Sequence, residues 1–150
     1  MAAKKTALDP TPLFTKTFDF TVWLMQVSNH FPRSQRFIVT QRFLDAALNF
    51  QELVLEANVK RMPERLEKLL LADVQLDKVR IYLRLTLRLE WLTPGQYKHS
   101  AAMVAEMGRL LGGWQRALRK NKDQAPGASD QDETAPTAPE AEPVSPVLDP

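Results

Sequence analysis

The sequence predicts an all-α protein, an up-down bundle of four helices. Three observations carry that prediction. Residues Glu64 to Thr93 hold no Gly and no Pro and consist mainly of Leu, Arg, Glu, Lys and Ala, all good helix formers. Breaks at 29–33, 60–63 and 93–96 divide the chain into four stretches of helical length. Only residues 79–91 alternate apolar and polar as a half-buried strand does, and a strand there has no partner elsewhere in the chain.

Residues 1–11 are polar and read as a flexible lead-in. The first helix is expected over 12–29, with Thr11 as cap and Pro12 at the first helical position. Leu13, Phe14, Phe18, Val22, Met25 and Asn29 share one of its faces. Asn29-His30-Phe31-Pro32-Arg33 ends it, because a residue before proline is pushed out of the helical region.

Ser34 is the expected cap of a second helix reaching about Val59. Gln41, Arg42, Asp45, Asn49, Glu52 and Glu56 form its polar stripe. The remaining arc, including Phe37, Phe43, Leu44, Ala47, Leu48, Phe50, Leu53, Val54 and Leu55, is wider than a surface helix needs. Lys60-Arg61-Met62-Pro63 makes the next break.

The third helix is expected over about 64–91. At 100° per residue, Asp73, Asp77, Arg80, Arg84 and Arg88 fall on one polar stripe, the arginines rising about 6 Å per step. Apolar residues flank it on both sides. Leu70, Val74, Ile81, Leu85 and Leu92 lie on one flank; Leu69, Ala72, Leu76, Val79, Leu83 and Leu87 lie on the other. A short chain has little room for a helix central to its own domain, so the pattern predicts burial against another copy. The simpler alternative pairs the arginines with Asp73, Asp77 and Glu90 as solvated helix charges.

Thr93-Pro94-Gly95-Gln96 is a capping box with Pro at the first helical position. The fourth helix is expected to run to about Lys120. Met103, Val104, Met107, Leu110, Leu111, Trp114 and Leu118 form an apolar face; Ala101, Ala105, Gly108 and Gly112 form a small-residue line. Interior glycines cost about 0.8–1 kcal/mol each relative to Ala. Their alignment predicts close helix packing around Ala101, Ala105, Gly108, Gly112 and Trp114, with another backbone approaching; loose surface tolerance is the alternative. Residues 12–120 thus form the predicted bundle. Residues 121–150 hold six of the eleven prolines and few large apolar residues, and are expected to be disordered.

Composition narrows the function classes. With no cysteine there is no disulfide framework and no thiolate chemistry. The longest uncharged run, Phe20 to Pro32, is too short to span a bilayer, and the first ten residues lack the apolar core of a secretory signal. A cytoplasmic protein without a membrane partner is expected. His30 and His99 have no metal-ligand neighbour at helical spacing, and no phosphate loop, dinucleotide fingerprint or nucleophile elbow is present. The sequence therefore predicts no enzyme, no catalytic residue, no metal and no cofactor.

The net charge of +2 conceals a division. Residues 1–122 carry all 20 Lys and Arg against 11 acids, whereas residues 123–150 carry 7 acids and no base. The folded part, at +9, is suited to a polyanion; the tail, at −7, is suited to compete with one.

The order F-P-R after the first helix, R-x-x-L-R in the third, then T-P-x-Q and Ala105-Glu106-Met107-Gly108-Arg109-Leu110-Leu111-Gly112-Gly113-Trp114 resembles a known family. It is similar to the accessory variability determinant proteins of diversity-generating retroelements. It is also similar to the small four-helix proteins encoded by intervening sequences of bacterial 23S ribosomal RNA genes. The resemblance covers about residues 12–120, and the fourth-helix block is its most specific part. It implies a four-helix protomer of a homopentameric barrel. It also implies a basic, non-enzymatic protein that binds nucleic acid and assists a reverse transcriptase in the mutagenic copying of template RNA. Arg80 and Arg84 match basic positions of the family's third helix; Gly108, Arg109, Gly112 and Trp114 match its fourth. The acidic tail and the acids of the third helix depart from the pattern.

The candidate nucleic-acid or partner-binding residues are Arg80, Arg84, Arg88, Arg109, Arg116 and Arg119, with Arg33 and Arg36 behind them. The expected partners are a reverse transcriptase and RNA, an RNA–DNA hybrid or DNA. Two alternatives stand beside this reading: an intervening-sequence protein with no polymerase partner, and a purely structural helical oligomer.

Overall fold

A computed structural model describes residues 8–124. The described chain is helical, with four α-helices and no strand: α1 (Thr11–Ser28), α2 (Gln41–Val59), α3 (Glu64–Arg88) and α4 (Pro94–Gln124). Each helix packs on its neighbours in sequence, and α4 returns against α1, closing a four-helix bundle. Side-chain contacts give the directions. Phe14 near the start of α1 meets Trp114 late in α4, and Trp23 late in α1 meets His99 early in α4. Phe43 of α2 stacks on Tyr82 of α3, and Lys68 of α3 bonds Glu56 of α2 at 3.0 Å. Neighbouring helices are therefore antiparallel. The expected flexible lead-in lies outside the described residues up to residue 7, and the expected disordered tail does so from residue 125.

The core forms where each helix turns an apolar stripe inward. Phe20, Leu24, Phe43, Phe50, Val54, Leu69, Leu76, Met107 and Leu111 are fully or almost fully excluded from solvent. Burying side chains of this size contributes about 1.5–3 kcal/mol each, which is why the stripe positions dictate the helix rotations.

On α1 the buried stripe is Leu13, Thr17, Phe20, Thr21, Leu24 and Val27. This corrects the expected face: Phe18, Val22 and Met25 point outward. Thr17 and Thr21 can sit in the core because their hydroxyls donate to the carbonyls of Leu13 and Thr17, at 2.7 and 2.9 Å. Burying a hydroxyl costs little when it bonds back to its own helix.

The helix ends differ from expectation in four places. Thr11 does not cap α1; its N–H donates to the carboxylate of Asp9 at 3.0 Å. Hydrogen bonding from the Thr11 side chain, and then from its backbone N–H, holds the Asp9 carboxyl below its ordinary range. Ser34 does not cap α2, which is preceded instead by a short 3-10 turn (Arg33–Gln35) and a π turn (Arg36–Thr40). The π turn leaves Phe37 81% exposed.

α3 stops at Arg88, three residues early. Glu90 has φ of 62°, and the N–H groups of Glu90 and Trp91 donate to the carbonyls of Leu87 and Thr86. This is the left-handed helix ending usually built on Gly, so its sequence signal was absent. α4 continues four residues beyond Lys120, to Gln124. The capping box forms as expected, with Gln96 N–H donating to Thr93 Oγ1 at 3.1 Å and Thr93 N–H to Gln96 Oε1 at 3.0 Å.

Candidate nucleic-acid interface

The arginine stripe of α3 begins with Arg80. Its Nη1 donates to Asp77 Oδ1 at 2.7 Å, and the pair is substantially exposed. The guanidinium also reaches α4, where a side chain at residue 108 would collide with its Nη2 and touch Leu76 Cδ2. Gly108 thus makes room for a side chain of α3. The neighbour at this position is Arg80, not a second backbone. At Gly112 the nearest group is Arg116 of the same helix, so the two aligned glycines serve different neighbours. Ala105 is exposed and Ala101 half-buried, while Trp114 is buried with its ring edge-on to Phe14, centroids 6.2 Å apart.

The contact of Arg80 with residue 108, and that of Gln115 with Leu69 and Asp73, set the register between α3 and α4. Gln115 Nε2 donates to Asp73 Oδ2 at 2.7 Å and to the Leu69 carbonyl at 3.2 Å. Asp73 is therefore engaged by an amide rather than by the arginine stripe. Arg84 and Arg88 are exposed and form no ion pair among the described residues. Of the three acids expected to neutralise the stripe, only Asp77 does so.

The eight candidate arginines do not form one patch. The antiparallel topology places Arg33 and Arg36, in the α1–α2 connection, at the same end of the bundle as Arg84 and Arg88. Arg116 and Arg119 stand at the opposite end. The positions of Arg88 and Arg116 lie about 12 Å to either side of the Arg80 level along the bundle. Arg109 is bound by Glu106 through two bonds, one of 2.9 Å from Nε to Oε2. That contact holds the Glu106 carboxyl below its ordinary range and raises the Arg109 guanidinium further. Arg109 and Arg116 border one notch with Asp9 and Trp114. Sequence reasoning passed over Arg42 and Lys78, which share an open groove between α2 and α3 with Asp45 and Asp77. Helical periodicity alone does not bring residues of two helices together.

Among the described residues, no group of three or more His, Cys, Asp or Glu could hold a metal ion, and no helix is long and apolar enough to cross a membrane. The site offers charge and shape.

The model of the bAvd-like family matches residues 13–118, from the first buried leucine of α1 to the last turns of α4. The chain belongs to the bAvd-like family. Among solved structures, a protein of unknown function from the S23 ribosomal protein family of Bacteroides thetaiotaomicron aligns with a TM-score of 0.66. The two are 19% identical, and the alignment covers 73% of this chain and 99% of that one, a likeness of fold. Comparison with curated proteins found no match. In this bAvd-like protein the matched segment contains all eight candidate arginines except Arg119.

Proposed function

We propose that this bAvd-like protein is a non-enzymatic accessory factor of a diversity-generating retroelement. In this reading it binds the reverse transcriptase and nucleic acid, template RNA or its cDNA, through basic helix surfaces. The observation that carries the proposal is the state of Arg84 and Arg88: exposed, one helical turn apart and without carboxylate partners among the described residues. Family membership and the +9 charge of residues 1–122 support the same reading. Binding would be electrostatic, with phosphates displacing counterions from arginines. Affinity would fall steeply with salt and depend little on sequence.

Self-association belongs to this proposal. A homo-oligomer, five-fold by the family resemblance, would cover the first half of the apolar flank of α3 and multiply the arginines around a ring. Leu70 and Val74 are solvent-facing in the single chain, and covering them supplies a reason for their composition.

The test is fluorescence anisotropy with labelled RNA across a salt series. Replacing both Arg84 and Arg88 by Glu should weaken binding at least tenfold and reduce the slope of log affinity against log salt by about 1.4. An affinity indifferent to salt overturns the electrostatic mechanism. Copurification with a reverse transcriptase, or such a gene alongside, separates this reading from that of an intervening-sequence protein, which the S23-family fold likeness keeps in view.

A further inference from the structure

At the end of the bundle where α3 stops, a shallow hollow of about 730 Å³ opens between α3 and α4. Arg84 and Arg88 stand on its α3 side, Tyr97 of α4 on the other, Ile81 and Leu85 supply apolar surface, and Glu90 lies at the margin.

A surface that reads phosphates alone requires cations and water. Here two cations with no ion-pair partner among the described residues adjoin an aromatic ring and aliphatic surface, which a duplex, with its bases stacked inside, cannot use. An unpaired nucleotide carries both matching parts, an anionic backbone and an apolar base face. Single-strand binders combine basic tracks with aromatic platforms in this way.

We propose that this hollow is a subsite for single-stranded nucleic acid, with Tyr97 stacking an unpaired base and Arg84 and Arg88 holding the flanking phosphates. The proposal rests on the nucleic-acid reading above and narrows it to the unpaired strand. Glu90 repels phosphate from its margin, directing the backbone to the arginine side. The Tyr97 ring is half-buried against the core, in the first turn of α4 beside the capping box of Thr93 and Gln96.

The test compares a labelled single strand with a hairpin duplex of equal charge, using the full chain. Tyr97→Leu should weaken single-strand binding about 5- to 150-fold, the worth of one base–aromatic stack, and leave duplex binding unchanged. Tyr97→Phe should restore it, and ultraviolet crosslinking of the wild-type complex should mark Tyr97. A wild-type chain that binds neither form overturns both readings. A folded Tyr97→Leu variant with unaltered single-strand affinity overturns the stacking subsite alone. If that variant does not fold, the position of the wild-type crosslink decides, and a crosslink elsewhere overturns the subsite. Loss of polymerase capture by Tyr97→Leu with oligonucleotide binding intact would assign the hollow to a protein partner and overturn the proposal.

Discussion

The guanidinium of Arg80 occupies the space that a side chain at residue 108 would fill, tying the arginine stripe of α3 to a glycine of α4. A glycine inside a long helix is unfavourable, and here the unfavourable residue accommodates a charged group of a neighbouring helix. The first prediction follows from that contact. Gly108→Ala should gain helix propensity of about 0.8–1 kcal/mol but displace the guanidinium, so its net stabilisation should fall below that figure. In an Arg80→Ala background the full gain should appear. Urea unfolding of the four variants measures the difference; strict additivity would mean that Arg80 and residue 108 do not compete for space.

Thr93 and Gln96 satisfy each other's backbone N–H groups at the start of α4, and Tyr97 stands in the turn they order. Thr93→Ala should lower stability by about 1 kcal/mol, the usual worth of an N-cap. Thr93→Ser should restore most of it. Chemical denaturation with an unchanged m value is the appropriate measurement, because a shift in m would report a changed unfolded ensemble instead.

Two apolar lines remain outside the bundle: Phe18, Val22 and Met25 on α1, and Leu70 and Val74 on α3. Light scattering should find the purified chain at several times its monomer mass. Val22→Glu or Val74→Glu should reduce that mass while leaving the helical circular dichroism unchanged, since both side chains are exposed within the single chain. A wild-type protein that remains monomeric at micromolar concentration removes shared burial as the reason for these residues.

Residues 125–150 carry six acids and no base. Covalent geometry lets these 26 residues reach at most about 85–95 Å from Gln124, against about 36 Å along α4 to the level of Arg88. A tethered polyanion at that range competes with nucleic acid at high effective concentration. Removing residues 125–150 should therefore tighten RNA binding at low salt and lose the effect as salt rises. Equal affinities for the two chains at every salt concentration would dismiss competition by the tail.

Much of the fold was legible along the chain because helix formation and helix ending are local. Leu, Arg and Ala between 64 and 88, the prolines at 12, 32, 63 and 94, and the Thr93/Gln96 pair act within a turn or two of themselves. They announce four helices and three breaks before any long-range contact is known. Glu90 shows the limit of that locality. It takes the left-handed conformation without being Gly, and so ends α3 where no residue type signals an ending.

The sequence by itself determined the helical class, the charge division and the family resemblance carried by the block from Ala105 to Trp114. Only the tertiary structure decided which of two apolar lines of α1 faces inward, Phe20 with its threonines rather than Phe18 with Val22. It alone decided that Arg80 is held by Asp77 and lies over Gly108, while Arg84 and Arg88 have no ion-pair partner among the described residues. Periodicity gives the angle of a side chain about its own axis. Burial and charge pairing depend on the register between helices far apart in sequence, and that register is set by packing.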